Sequence, residues 1–130
     1  MTLAEGFDRL QRETAGCRAL VFGDLDTRTV LRSAAAPGFR QEDHDALLAE
    51  AADCLGAGGA SVMAEAGLGP VLDAGDGALP LEALRLLPGE ARLYRRLSSG
   101  SAEVICARLA ATGDLDLFDA ALAELIDAHA

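Results

Sequence analysis

The sequence predicts an α+β domain in which helices pack on a central antiparallel sheet of about five strands. Short apolar segments with period-two alternation recur between turn signals, which is typical of antiparallel strands. Three longer segments instead carry apolar residues at helical spacing. Because the chain has 130 residues, we expect one domain over residues 1–130.

The first half of the chain predicts a helix, a hairpin and a second helix. Apolar residues recur at helical spacing over 2–14, so this segment predicts a helix. Strands are expected over 17–23 and 28–34, joined by a tight turn at 24–27, because aspartate favours turns. The segment 40–55 predicts a further helix, with acidic residues near its start that suit the helix dipole.

The second half predicts three strands in a meander and a last helix. Glycines interrupt any regular period between the two halves, and we expect an irregular insert at about 57–80. Strands are expected over 81–87, 91–98 and 102–109, where the spacing between turns suits short antiparallel strands. A strongly apolar face predicts the final helix over 114–128.

Charge and composition exclude several classes of partner. The net charge is −10 and every one of the 11 cations is arginine, so the chain as a whole repels nucleic acid and anionic membranes. The sequence shows neither a signal peptide nor an apolar run long enough to span a membrane, and we expect a cytoplasmic protein. The arginine-only, alanine-rich usage indicates a GC-rich genome, and we expect a bacterial protein.

Residues able to support catalysis are few and scattered. Cys17, Cys54 and Cys106 form no paired motif and lie in apolar stretches, where a cysteine is usually a small buried hydrophobe. His44 and His129 have no obvious nucleophile beside them. We therefore expect no catalytic residue, while a thiol enzyme that uses one of the cysteines remains an alternative.

Cofactor and metal sites are not indicated either. The glycine-rich segment 56–61 follows a helix rather than a strand and lacks the lysine of a phosphate-binding loop. Residues 73–77 contain two carboxylates and two glycines, but the remaining ligands of a calcium loop are missing. We expect no bound cofactor and no metal.

A cluster of arginines on the second meander strand is the candidate partner-binding surface. Arg92, Tyr94 and Arg96 alternate along this strand and are predicted to share one face. Arg95 is predicted to point to the opposite face. Arginine and tyrosine are enriched at interface hot spots, so the sequence predicts that these three residues contact a partner. A solvated sheet face is the alternative interpretation.

The order of elements resembles the roadblock/LC7 group, within the wider longin and profilin-like folds. Members often carry an apolar strand, a turn of the Asp-x-Asp-Gly kind and a second apolar strand. Val21-Phe22-Gly23 followed by Asp24-Leu25-Asp26 is similar to this pattern. Thr27 stands where the group has glycine.

The resemblance implies a non-enzymatic interaction module rather than a catalyst. It implies a homodimer in which the sheet or the helices continue across a two-fold axis. Bacterial and archaeal members are associated with small Ras-like GTPases, so such a GTPase is the implied partner. A small-molecule-sensing domain with an internal pocket, roofed by residues 60–80, is the alternative, since mixed α/β domains of this size often enclose one.

Overall fold

The computed structural model describes residues 3–14, 16–55, 81–98, 100–110 and 115–129. Three helices and five strands lie in these ranges. In chain order they are α1 (Leu3–Glu13), β1 (Cys17–Asp24), β2 (Thr29–Ala35), α2 (Gln41–Leu55), β3 (Glu82–Leu87), β4 (Glu90–Arg96), β5 (Glu103–Ala110) and α3 (Leu115–His129).

The five strands form one antiparallel sheet in the order β2-β1-β5-β4-β3. The predicted α+β class is confirmed, and each predicted helix and strand is present with its ends shifted by two residues or fewer. The irregular insert predicted at about 57–80 lies outside the described residues. The hairpin β1–β2 joins the meander β3–β4–β5 through β1 and β5 at the centre of the sheet.

Alternation along the central strands creates two separate apolar layers. On one face, Leu20 and Ile105 pack beneath α1 and α3, which contribute Phe7, Phe118 and Leu122. The next residues along the same strands point to the opposite face, because successive side chains alternate in a strand. There they meet α2, whose residues Leu47, Leu48, Ala51 and Leu55 are buried.

The turn between β1 and β2 is organised by its first aspartate. The carboxylate oxygen Oδ1 of Asp24 accepts hydrogen bonds from the backbone N–H groups of Asp26 (2.8 Å) and Thr27 (3.0 Å). The following residue, Arg28, has a φ of 55°. The left-handed backbone that glycine favours thus falls one residue later than the resemblance suggests, on Arg28 rather than Thr27.

Glycine is required on β1 where α2 crosses it. A Cβ atom on Gly23 would lie 2.8 Å from both methyl carbons of Leu48 and 3.0 Å from the carbonyl oxygen of Thr29. The pairing of β1 with β2 also changes register between Phe22 and Gly23. The absent side chain therefore lets Leu48 of α2 pack directly on the β1 backbone.

Candidate interaction surface

Strand β3 presents an open edge of the sheet. Among the described residues it pairs with β4 alone, in a continuous register from Glu82 to Leu87. Leu84 is 40% exposed, Leu86 is 71% exposed, and the Arg85 side chain between them is half exposed. The strand has neither the lysine nor the proline nor the bulge that often protects an edge. Within the described ranges, no strand pairs with the outer edge of β3, and its two leucines are exposed.

A chain of ion pairs joins this edge to α2. Glu50 of α2 accepts hydrogen bonds from Arg85 of β3 at 2.7 Å and from Arg92 of β4 at 2.6 Å. The hydroxyl of Tyr94 donates to the same carboxylate at 3.2 Å. One glutamate on the helix thus holds three side chains from two strands.

Glu90 is the second centre of this network. Its side chain is 7% exposed, and it accepts hydrogen bonds from Arg92 (2.7 Å), Arg108 (3.0 Å) and Arg18 (3.4 Å). Burial alone raises the pKa of Glu90, but the hydrogen bonds from Arg92 and Arg108 outweigh it and hold the pKa below its usual range. Four arginines with two glutamates leave this part of the sheet with a local excess of positive charge. The members of this ion-pair network are Arg18, Arg85, Arg92 and Arg108 with Glu50 and Glu90.

Arg96 contacts the backbone at the C-terminal end of α2. Its guanidinium donates to the carbonyl oxygen of Leu55 and to that of Ser101, each at 2.6 Å. The Leu55 carbonyl is at the last residue of the helix, where carbonyl groups lack intrahelical donors. Arg96 therefore satisfies the C-terminus of α2 and ties it to the segment between β4 and β5.

The predicted surface of Arg92, Tyr94 and Arg96 is formed only in part. The three residues do share one face of β4, but that face lies beneath α2. The exposure expected of Tyr94 and Arg96 is wrong, because they are 0% and 4% exposed. Arg92 keeps part of its side chain accessible. Contact of this trio with a partner stays a prediction, and Arg92 is the member that a partner can reach.

The residues that turn this trio inward were not predicted from the sequence. Glu50 and Glu90 supply the carboxylates that let arginine be buried, yet neither was distinguished among 21 acidic residues. Arg85 was also missed, although it occupies the open edge. A usable signal was the apolar stripe of α2, because a helix with such a stripe has to cover one face of the sheet.

Arg95 points to the opposite face, as predicted, and joins β3 to the start of α3. Its Nη1 lies 3.2 Å from the carboxylate of Glu82 and 3.3 Å from that of Asp119. Burial raises the pKa of Glu82, and a hydrogen bond with Asp119 raises it further. Two carboxylates thus share one arginine beside the β3 edge.

Comparison with known proteins identifies the fold. No protein-family model matches the sequence, and no curated protein matches it. Among solved structures, a roadblock/LC7 domain from Streptomyces avermitilis superposes with a TM-score of 0.71 at 17% identity, covering 98% of this chain and 94% of that one. The chain has the roadblock/LC7 fold.

Two further structures with the roadblock/LC7 fold are similar. A structure of MglB with a tetrameric arrangement gives a TM-score of 0.69 at 16% identity, over 97% of this chain and 83% of that one. The gliding protein MglB from Thermus thermophilus gives 0.64 at 19% identity, over 97% and 89%. The resemblance predicted from the sequence is confirmed at the level of the fold.

The cysteines in this roadblock/LC7 fold are poorly suited to thiol chemistry. Cys17 and Cys106 are buried and Cys54 is partly buried. Burial raises the pKa of Cys17 to about 12 and also raises the pKa of Cys106. Burial raises the pKa of Cys54, against the opposing effect of Arg85. Because the thiolate is the reactive form, these environments disfavour the thiol-enzyme alternative.

The residues that the structure describes carry neither a metal cluster nor a membrane-spanning helix, and they form an open groove between two helices. They contain no group of three or more histidine, cysteine or acidic side chains placed to hold a metal ion. None of the helices described is long and apolar enough to cross a membrane. An open groove of about 560 Å³ runs between α1 and α3, lined in part by Leu10, Ala121 and Leu125. The pocket expected under residues 60–80 falls outside the described ranges.

Proposed function

We propose that this chain is a non-enzymatic regulatory module that forms a homodimer and binds a small Ras-like GTPase. The observation that carries the proposal is the open β3 edge with its exposed leucines, within a roadblock/LC7 fold. An edge that offers both unpaired backbone groups and apolar side chains is suited to pair with another strand.

The geometry of β3 supports a two-fold arrangement. Antiparallel pairing of β3 with its copy, about an axis normal to the sheet, extends five strands to a ten-stranded sheet. Both α2 helices then lie on the same face of that sheet. The similar MglB structure with a tetrameric arrangement supports assembly as a property of such folds.

Charges on the α2 face support the same arrangement. The outer surface of α2 is acidic, with Glu42, Asp45 and Asp53 exposed, so two such helices repel when they are brought together. Arg85 lies on this face at the β3 edge, half exposed and held by Glu50. In the dimer it supplies positive charge between the two helices, which offsets the repulsion.

The GTPase assignment rests on the resemblance to the roadblock/LC7 group. Bacterial and archaeal members of that group are associated with small Ras-like GTPases as regulators or scaffolds. The similar solved structures include a gliding protein, MglB. The partly accessible Arg92, with Arg85, offers an arginine-rich contact for such a partner.

The dimer is tested at the strand edge. Sedimentation velocity over a concentration series is expected to show a dimer for the wild-type chain. Lysines at both leucines (Leu84→Lys with Leu86→Lys) are expected to give a monomer, because charged edges resist pairing. Leu31→Lys, on the exposed leucine of the opposite edge strand, is the matched control and should remain dimeric. A wild-type monomer at all concentrations would contradict the proposal.

The partner is tested by affinity capture from the native host lysate. The bound proteins are identified by mass spectrometry in the presence of GDP or of a non-hydrolysable GTP analogue. Stoichiometric recovery of a small GTPase is expected, and dependence on the nucleotide indicates regulation. Recovery of no GTPase in either state would remove this partner while leaving the dimer to be judged separately.

A further inference from the structure

An apolar strip on β3 lies beside α3, on the face opposite α2. Leu84 pairs with Leu93 and Leu86 pairs with Ala91, and directly opposed residues of antiparallel strands project to the same face. Leu93 and Ala91 belong to the apolar layer under α1 and α3. The two β3 leucines continue that layer outward, yet they stay exposed. The layer therefore extends beyond the helices that cover it.

The flank of α3 that borders this strip is acidic. Phe118, Leu122 and Ile126 face the sheet, and Ala121 and Leu125 line the groove towards α1. Helical spacing then places the remaining flank, towards β3, at Asp116, Asp119, Ala123 and Asp127.

Contacts of Asp119 confirm this orientation. Its carboxylate lies 3.3 Å from Arg95 of β4, and the same guanidinium contacts Glu82 of β3. Asp116 and Asp127 lie in the exposed part of the same flank. The leucine strip is thus bordered, on its α3 side, by a row of acidic side chains.

We propose that this surface docks a basic amphipathic helix of a partner protein. The apolar face of the helix packs on Leu84 and Leu86, and its lysines or arginines face Asp116, Asp119 and Asp127. Recognition by apolar anchors at helical spacing is a recurrent way to fill such a surface. This inference deepens the proposed function and rests on it for one point, that pairing of β3 places two strips side by side between two acidic α3 flanks.

Charge selects the basic helix over other occupants. In the proposed dimer another copy of this chain meets only the edge of β3, and its net charge of −10 disfavours a second contact with the acidic α3 flank. Anionic lipid and nucleic acid are repelled for the same reason. The exposed leucine on the opposite edge, Leu31, has a different setting, because its neighbour is Arg32, which pairs with Asp8.

The test uses two synthetic helical peptides with identical leucine positions. One has about 18 residues of leucine and lysine at amphipathic helical spacing, and the other replaces each lysine with glutamate. Fluorescence anisotropy with the full chain is expected to show binding of the lysine peptide only. Increasing salt should weaken that binding, because the flank residues are exposed to solvent.

Variants of the strip and of the flank locate the binding site. Leu86→Ser is expected to weaken binding about ten-fold through lost apolar contact, whereas the control Leu31→Ser leaves it unchanged. Asp116→Asn with Asp127→Asn should weaken binding about two- to five-fold. Equal affinities for Leu86→Ser and Leu31→Ser, or failure of the lysine peptide to bind, overturns the inference.

Sedimentation of the same samples separates this inference from the proposed dimer. A dimer that does not bind the lysine peptide contradicts the docking surface and leaves the dimer intact. A monomer that binds the peptide, with the sensitivity to Leu86→Ser, contradicts the dimer and supports the docking surface on a single protomer.

Discussion

The two faces of the sheet are held by different interactions. Beneath α1 and α3 the layer consists of aliphatic and aromatic side chains, with Phe7, Leu20 and Phe118 each 2% exposed or less. Beneath α2 the apolar layer is bordered by ion pairs that centre on Glu50 and Glu90. The α1/α3 face is thus held mainly by burial of apolar area, with one ion-pair cluster around Arg95 at its margin, whereas the α2 face depends more strongly on the ionisation of carboxylates.

This difference explains how arginines can be placed inside a small domain. A guanidinium is costly to remove from water unless its donors are satisfied. Glu50, Glu90 and the carbonyl of Leu55 supply acceptors on the α2 face. On the opposite face, the charged group of Arg95 lies at the margin, with Glu82 and Asp119. The Nε atom of Arg95 is buried there without a hydrogen-bond partner among the described residues, so this guanidinium is only partly satisfied.

The largest effect is expected from a cavity in the apolar face. Phe118→Ala removes a ring that is 2% exposed, and we expect a loss of about 3–5 kcal/mol in the free energy of unfolding. Urea denaturation measures it. Because no charge is involved, the loss should be the same at low and high salt.

A neighbouring residue provides the control for that substitution. Leu117→Ala alters a side chain that is 67% exposed, so the change should stay within about 0.5 kcal/mol. A loss for Phe118→Ala that disappears in high salt would show that the apolar face is not held by burial alone.

An intermediate, pH-dependent effect is expected on the charged face. Glu90→Gln leaves three guanidiniums around a neutral amide, and we expect a loss of about 2 kcal/mol at pH 7. The folded-state pKa of Glu90 is lowered from 4.5, so the stability it contributes is present above pH 4.5 and is lost as the pH falls through the folded-state pKa. The cost of the substitution should therefore shrink in acid.

Chemical denaturation from pH 7 down to pH 3 measures this profile. Glu103→Gln, an exposed glutamate on β5, is the matched control, and its profile should follow that of the wild type. If Glu90→Gln and Glu103→Gln give the same difference from wild type at every pH, the arginines around Glu90 add no stability.

The smallest effect, of opposite sign, is expected beside the β3 edge. The folded-state pKa of Glu82 is raised from 4.5, so its contribution is fully present below pH 4.5 and is lost as the pH rises through the folded-state pKa. Glu82→Gln removes a carboxylate that is costly to ionise because it is partly buried and lies near Asp119, so it should stabilise the chain at pH 7. Because the Glu82 side chain is 36% exposed, the gain should stay within about 0.5 kcal/mol. A thermal melt that shows a loss at pH 7 and none at pH 4 contradicts this.

Local patterns in the sequence were sufficient to predict the elements and the fold class. Turn residues such as Pro88 and Gly89 separate the strands, and the spacing of Leu47, Leu48 and Leu55 indicates a helix. These signals depend on neighbours along the chain. The order of the elements carried the resemblance to the roadblock/LC7 group.

The burial of the candidate site depended instead on distant residues. Tyr94 and Glu50 are 44 positions apart in sequence, yet their side chains share a hydrogen bond. Period-two alternation correctly placed Arg92, Tyr94 and Arg96 on one face but does not say which face a helix covers. The contact between Arg96 and Leu55 likewise arises only when α2 has docked. Long-range packing therefore determines which of these side chains are buried, and composition and periodicity do not predict it.

The strand order has a consequence for the synthesis of the protein. β1 lies between β2 and β5, and its Phe22 pairs with Ile105. Because the N-terminal part of the chain emerges from the ribosome first, the edge of β1 that pairs with β5 stays unpaired until residues 103–110 have emerged. At about 5–20 residues per second this interval lasts on the order of 4–20 seconds. During it the apolar residues of β1 lack their β5 partners, so the nascent hairpin is open to non-native association until the native sheet forms.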